Sequence, residues 1–143
     1  MTQGSDFIGV GIISLCHDGK GNFVMAKRGK NARDEHGNWD ICGGGLEFGD
    51  NVEDRLKIEV KEEFCADVIN YEFLGFRDVH RIQSGQPTHW IDLDFKVLVD
   101  PAQVKNGEPH KFDEIGWFTL KNVPEPTHSQ WPKFLEKYKE KLG

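Results

Sequence analysis

Apolar residues recur along this chain with two different periods, and the switch between them separates strands from helices. From His89 to Val99 the alternation is strict: Ile91, Leu93, Phe95 and Val97 share one face, while Trp90, Asp92, Asp94 and Lys96 share the other. That two-residue period predicts a half-buried strand whose polar face either lines a cleft or meets solvent. Upstream, the β-rich runs Phe7 to Leu15 and Phe23 to Arg28 flank the turn cluster His17-Asp18-Gly19-Lys20-Gly21-Asn22 and predict a hairpin. Tyr71 to Arg81 predicts a further strand with a bulge at Gly75, Ser84-Gly85-Gln86-Pro87 a turn, and Ile115 to Leu120 a last strand.

Twice the period becomes helical. Val52, Leu56, Val60 and Phe64 sweep along one side of a segment free of Gly and Pro, with Asn51 as its N-cap and Glu53 and Asp54 in its first turn. Trp131, Phe134, Leu135, Tyr138 and Leu142 mark a terminal amphipathic helix, capped by Thr127 or Ser129, with lysines outward; it reads as a cover for the core. Strands on both sides of one helix, then a terminal helix, predict an α/β architecture, a mixed β-sheet sandwiched between α-helices.

The helix from Val52 to Phe64 carries more than packing information. Glu59, Glu62 and Glu63 fall together beside the apolar stripe, whereas Lys57 and Lys61 project roughly opposite, leaving only Arg55 among the acids. A solvated face explains the negative charge but not its segregation, since like charges at this spacing cost a few tenths of a kcal/mol each. The sharper reading is a cation site. Carboxylates without His or thiolate suit a hard ion with oxygen ligands, Mg²⁺ before Mn²⁺. The adjacent glycines Gly43, Gly44 and Gly45 let backbone approach an anion, which points to phosphate-ester or phosphoanhydride chemistry.

Composition narrows the classes. A chain of 143 residues predicts a single domain spanning 1–143. Its net charge of -6 argues against duplex nucleic acid as a partner, while a small phosphorylated ligand carried by a metal remains compatible. Cys16, Cys42 and Cys65 are widely spaced and odd in number, so they are expected to be reduced. With no basic, apolar leader in Met-Thr-Gln-Gly-Ser-Asp and no apolar run of roughly 20 residues, a cytoplasmic chain without a membrane partner is expected. The six histidines show no paired ligand spacing and receive no role.

The run from Gly44 to Ala66 resembles the Nudix box of the MutT-like pyrophosphohydrolases, Gly-x5-Glu-x7-Arg-Glu-(apolar)-x-Glu-Glu-x-Gly-(apolar). Gly44, Glu59, Val60, Glu62 and Glu63 match, while Asp50 replaces the first Glu, Ile58 the Arg and Cys65 the last Gly. Cys65 takes a left-handed helix end less cheaply than Gly, so a different helix end is expected. Isoleucine cannot orient carboxylates as the family's Arg does, and Arg55, one turn earlier, is expected to take over. The lead-in from Asn38 to Cys42 resembles the family's Trp-x-x-Pro-Gly-Gly, with Trp39 as a packing anchor.

The resemblance covers the chain from about Phe7 to Leu142 and implies the Nudix fold and Mg²⁺-dependent hydrolysis of a nucleoside diphosphate linked to another group: a nucleoside triphosphate, ADP-ribose or a nucleotide sugar. It implies that Glu59, Glu62, Glu63 and the Gly43 carbonyl hold the metal, with Glu59 or Glu62 as general base. Glu114, before the last strand, is either a further metal ligand or base, or a surface acid. Arg28 either contacts substrate phosphate or ends a charged strand. Phe48 and Trp90 either stack on a base or pack at the rim. A homodimer is open by the same resemblance. The alternative is a nucleotide-binding module of the same fold without turnover, suggested by Asp50, Ile58 and Cys65.

Overall fold

The computed structural model describes residues 1–142. Two helices cover opposite faces of a seven-stranded mixed sheet: β1 (Gly9–His17), β2 (Phe23–Arg28), β3 (Trp39–Asp40), β4 (Cys42–Gly45), β5 (Val68–Gln83), β6 (Gln86–Val99) and β7 (Phe112–Phe118), with α1 (Val52–Phe64) and α2 (Trp131–Leu142). The strand order is β3-β2-β1-β6-β5, with β4 beside β1 and β7 beside β2. Among the strands of the described residues, β1 and β6 pair in parallel and the other pairs are antiparallel.

Alternation sends neighbouring residues to different layers. Ile12 and Cys16 of β1, Val24 and Ala26 of β2, and Phe95, Val97 and Val99 of β6 meet Leu56, Val60 and Phe64 of α1. Leu15, Phe23, Met25 and Leu74 meet Trp131, Phe134, Tyr138 and Leu142 of α2. Leu56, Val60 and Phe64 are fully buried, which contributes roughly 1.5–3 kcal/mol each relative to exposure.

The predicted helix over Val52 to Phe64 and the bulge beside Gly75 both form, the latter as a register shift between Phe73 and Gly75. Gly75 has φ +154°, and a Cβ there would lie 3.1 Å from the Tyr138 hydroxyl, so glycine lets α2 close on β5. Four expectations change. β1 starts at Gly9 rather than Phe7, because Phe7 and Ile8 stay half exposed and the backbone of Gly9 lies flat against the Trp90 ring. The first hairpin is nearly nominal: β1 and β2 pair only at His17 and Phe23, and β4 pairs with β1 from Gly11 to Ser14. Asn51 stands at the N-cap of α1 as expected, but it caps with its backbone carbonyl alone, while its side-chain amide donates to Asp54 at 3.3 Å. Neither Thr127 nor Ser129 caps α2; Ser129 Oγ donates to Glu35, and His128 Nδ1 accepts from the Gln130 N–H.

The helix end is the clearest departure. Cys65 adopts the left-handed conformation, φ 59° and ψ 16°, that was expected to need glycine. The loop before β7 makes up the cost: Lys105 N–H donates to Phe64 O at 3.0 Å and Gly107 N–H to Glu63 O at 2.9 Å, so carbonyls of the last turn are satisfied from outside the helix. A Cβ at Gly107 would lie 2.1 Å from Glu62 O, which is why the loop has glycine there.

The polar face of β6 divides: Trp90 and Asp92 line a cleft, and Asp94 is buried against α2. Asp94 has no solvent exposure and accepts from Arg77 Nε at 2.8 Å, Arg77 Nη2 at 2.9 Å and Tyr138 Oη at 2.6 Å. Asp92, one pleat along, lies 3.6 Å from Arg77.

Candidate active site

Where β1 and β2 diverge, a cleft of about 460 Å³ opens between β4, the face of β5 and β6, and the start of α1. One end is acidic. Glu59 and Glu63 reach it from α1, beside the backbone of Gly43 and Gly44. The glycines are needed for this approach: a Cβ on Gly44 would stand 2.3 Å from the Glu59 carboxyl carbon.

Glu63 is 2% exposed, and its Oε2 has no hydrogen-bond partner; the nearest cation, Lys111 Nζ, is 3.9 Å away. Burial pushes its carboxyl up to about 8, against the pull of Lys111. Glu59 is also raised, by burial and then by the neighbouring charge of Glu62. A buried carboxylate oxygen without a partner is costly. Beside a second carboxylate and glycine carbonyls, it makes a set of hard oxygen donors able to hold a divalent cation such as Mg²⁺. Glu62 is solvent-exposed on the same side of the helix and does not line the cleft.

Arg55 stands over these acids. Its Nε donates to Asp50 Oδ2 at 3.0 Å and its Nη1 to Glu59 Oε1 at 3.5 Å, while Ile58, at the box's Arg position, points outward and is 42% exposed. Lys57 and Lys61 are turned away, to Glu53 and Asp67.

The other end of the cleft collects guanidinium groups already paired with acids. Arg28 binds Asp34 at 3.0 Å and lies 3.8 Å from Asp40; Arg81 binds Asp34 and, at 2.9 Å, Glu35. Burial opposes ionisation of Asp34, yet hydrogen bonding from Gln83 and the charges of Arg81 and Arg28 hold its carboxyl below the usual range. Burial raises Asp40, only partly offset by His128 and Arg28. Burial also lifts Asp92 to about 6, against the opposing charge of Arg77.

Of the residues singled out from sequence, Gly43, Arg28, Arg55, Glu59, Glu63 and Trp90 line this cleft. Three do not line it; the first, Glu62, is exposed on α1. Phe48 stands fully exposed at the tip of the loop before α1, and Glu114, opposite Lys27 in the β2–β7 pairing, points to solvent outside the cleft. Sequence reasoning missed Arg77, Arg81, Asp40, Lys111 and His128 as cleft residues. Arg77 and Arg81 carried one signal, their four-residue separation on a strand, which puts both on one face.

A family model described as NUDIX domain matches residues 7–138. Solved structures with the same fold include a MutT NUDIX hydrolase from Burkholderia pseudomallei, 24% identical, covering 92% of this chain and 98% of that one with a TM-score of 0.80. A MutT protein from Methanosarcina mazei Go1 is 21% identical over 93% of this chain and 94% of its own, TM-score 0.78. The NUDIX domain of Shewanella oneidensis NrtR, complexed with ADP ribose, is 13% identical over 96% and 90%, TM-score 0.76.

Proposed function

The chain belongs to the NUDIX domain family and is a Nudix hydrolase, and from that premise we propose that it is a single-domain, Mg²⁺-dependent pyrophosphohydrolase. Its substrate is a nucleoside diphosphate linked to another moiety: a further phosphate in a nucleoside triphosphate, ribose in ADP-ribose, or another sugar in a nucleotide sugar. The observation that carries this reading is the partnerless, buried oxygen of Glu63 beside Glu59 and the glycine backbone. Glu59, Glu62, Glu63 and the Gly43 carbonyl would hold the ion. Bound there, it supplies positive charge against the pyrophosphate oxygens and makes water more acidic.

The chain's own groups do the rest. Glu59, desolvated and raised, is placed to accept a proton from attacking water, with exposed Glu62 as the second candidate. Glu114 ranks third, at an exposed position outside the cleft lining. Arg28 offers a guanidinium to a phosphate or to the leaving moiety, and Trp90, packed across Gly9 and Gly45, offers a ring edge for the base. Arg55 positions Glu59 while being held by Asp50. Arg55→Ala is therefore expected to lower turnover by about 10–100-fold and to raise the Mg²⁺ concentration for half-activation, as loss of a supporting partner does; an unchanged activation curve would remove Arg55 from this role.

The deciding experiment is a phosphate-release screen across nucleoside triphosphates, ADP-ribose, nucleotide sugars and dinucleoside polyphosphates, with and without Mg²⁺. Metal-dependent release from at least one is the expected result. Metal-dependent nucleotide binding without release from any would instead identify a binding module.

A further inference from the structure

Away from the cleft, the β5–β6 hairpin carries a second group of ligand-type side chains that linear spacing conceals. The strand register sets His80 directly opposite His89, nine residues away in sequence, with ring centroids 4.2 Å apart and planes inclined by 31°. Asp78, two residues before His80 and on the same face, has Oδ1 3.0 Å from His89 Nε2. One ligand atom from each residue lies within 4.8 Å of the others. With His80 exposed and His89 half-buried, the pair buries little apolar area and is not explained as core packing. Their convergence with a carboxylate is of use to a metal ion.

We propose that Asp78, His80 and His89 form a second metal site, selective for a borderline transition ion such as Zn²⁺, with water in the fourth position. Two imidazoles and one carboxylate match that ion's preferences, whereas the all-oxygen set of the cleft suits a hard one. Ligand atoms around tetrahedral Zn²⁺ stand roughly 3.3 Å apart, given metal–ligand distances of about 2.0–2.1 Å. Asp78 Oδ1 and His89 Nε2 already stand 3.0 Å apart, and His80, the remaining ligand, is exposed and can rotate toward them. Val79, Arg81 and Trp90, the alternating neighbours, line the cleft, so an ion here would tie β5 to β6 directly behind the wall that faces substrate.

The test is a titration of the full chain with Co²⁺ and Zn²⁺ in excess Mg²⁺, following the visible absorption of four-coordinate Co²⁺ and the heat of Zn²⁺ binding. One ion per chain is expected to bind with the Co²⁺ band. His80→Ala and His89→Ala are expected to weaken it by more than the roughly 10–100-fold that loss of a supporting partner costs, and Asp78→Asn to weaken it as well. Glu63→Gln is expected to leave it unchanged. All three substituted hairpin positions are at least partly exposed, and circular dichroism checks that each variant is folded. The site is overturned if the unmodified chain shows no band, if the histidine variants bind as it does, or if Glu63→Gln abolishes the signal. None of these outcomes bears on the phosphate-release screen.

Discussion

Replacing Glu63 by Gln is expected to cut Mg²⁺-dependent turnover by at least ~100-fold while leaving the protein folded. The amide keeps the volume of the side chain but removes the charge, and charge is what an ion beside Glu59 and the Gly43 backbone requires. The partnerless Oε2 makes Glu63 the sharpest probe on the helix, since no hydrogen bond depends on that oxygen. Equilibrium dialysis should show Mg²⁺ affinity falling together with rate. Glu62→Gln, at an exposed position, tests whether the third acid of the stripe contributes comparably. Near-normal rates in both variants would remove the acid stripe from the chemistry.

The second large effect lies behind the cleft. Asp94→Ala is expected to cost about 3–5 kcal/mol of folding stability in urea denaturation, because it strands the Arg77 guanidinium and the Tyr138 hydroxyl beneath α2. A loss below about 1 kcal/mol would mean that water replaces the carboxylate freely. Asp92, 8% exposed on the same face, gives the opposite sign. Its folded value is raised from 3.8 to about 6, so the stability it lends is complete below pH 3.8 and is lost as pH rises through about 6. Asp92→Asn should flatten the stability profile between pH 4 and 7, leaving the variant on the order of 2 kcal/mol ahead at pH 7 relative to its difference at pH 4.

How much of this was legible depended on whether the signal was local. The bounds of α1, its buried stripe and the isolation of Arg55 among the acids all follow from side-chain direction around one helix, and the geometry matches them. The pleat of β6 was equally plain, yet its consequence was not. Alternation says that Asp92 and Asp94 share a face with Trp90; it does not say that Tyr138 of α2 will reach Asp94 or that the β5–β6 register will set Arg77 opposite Asp92. Likewise, Cys65 takes a conformation that single-residue preference disfavours, because a loop some 40 residues later supplies the hydrogen bonds. Phe48 and Glu114 suggested contact through their place in a motif, but the first lies at a loop tip and the second on the outward side of β7. His80 and His89 were invisible as a pair for the converse reason, since only strand register joins them.

The cleft is lined by acidic and basic side chains in equal number, Arg28, Arg33, Arg55, Arg77, Arg81 and Lys111 against Asp34, Asp40, Glu47, Glu59, Glu63 and Asp92. Set in a chain of net charge -6, such a surface offers a naked polyphosphate no long-range attraction. An anion whose charge has been largely cancelled before arrival meets no such barrier. Under the proposed function, the chelated form of a nucleotide is the one such a cleft favours, and selectivity would begin in bulk water, with whichever counter-ion the ligand has already acquired.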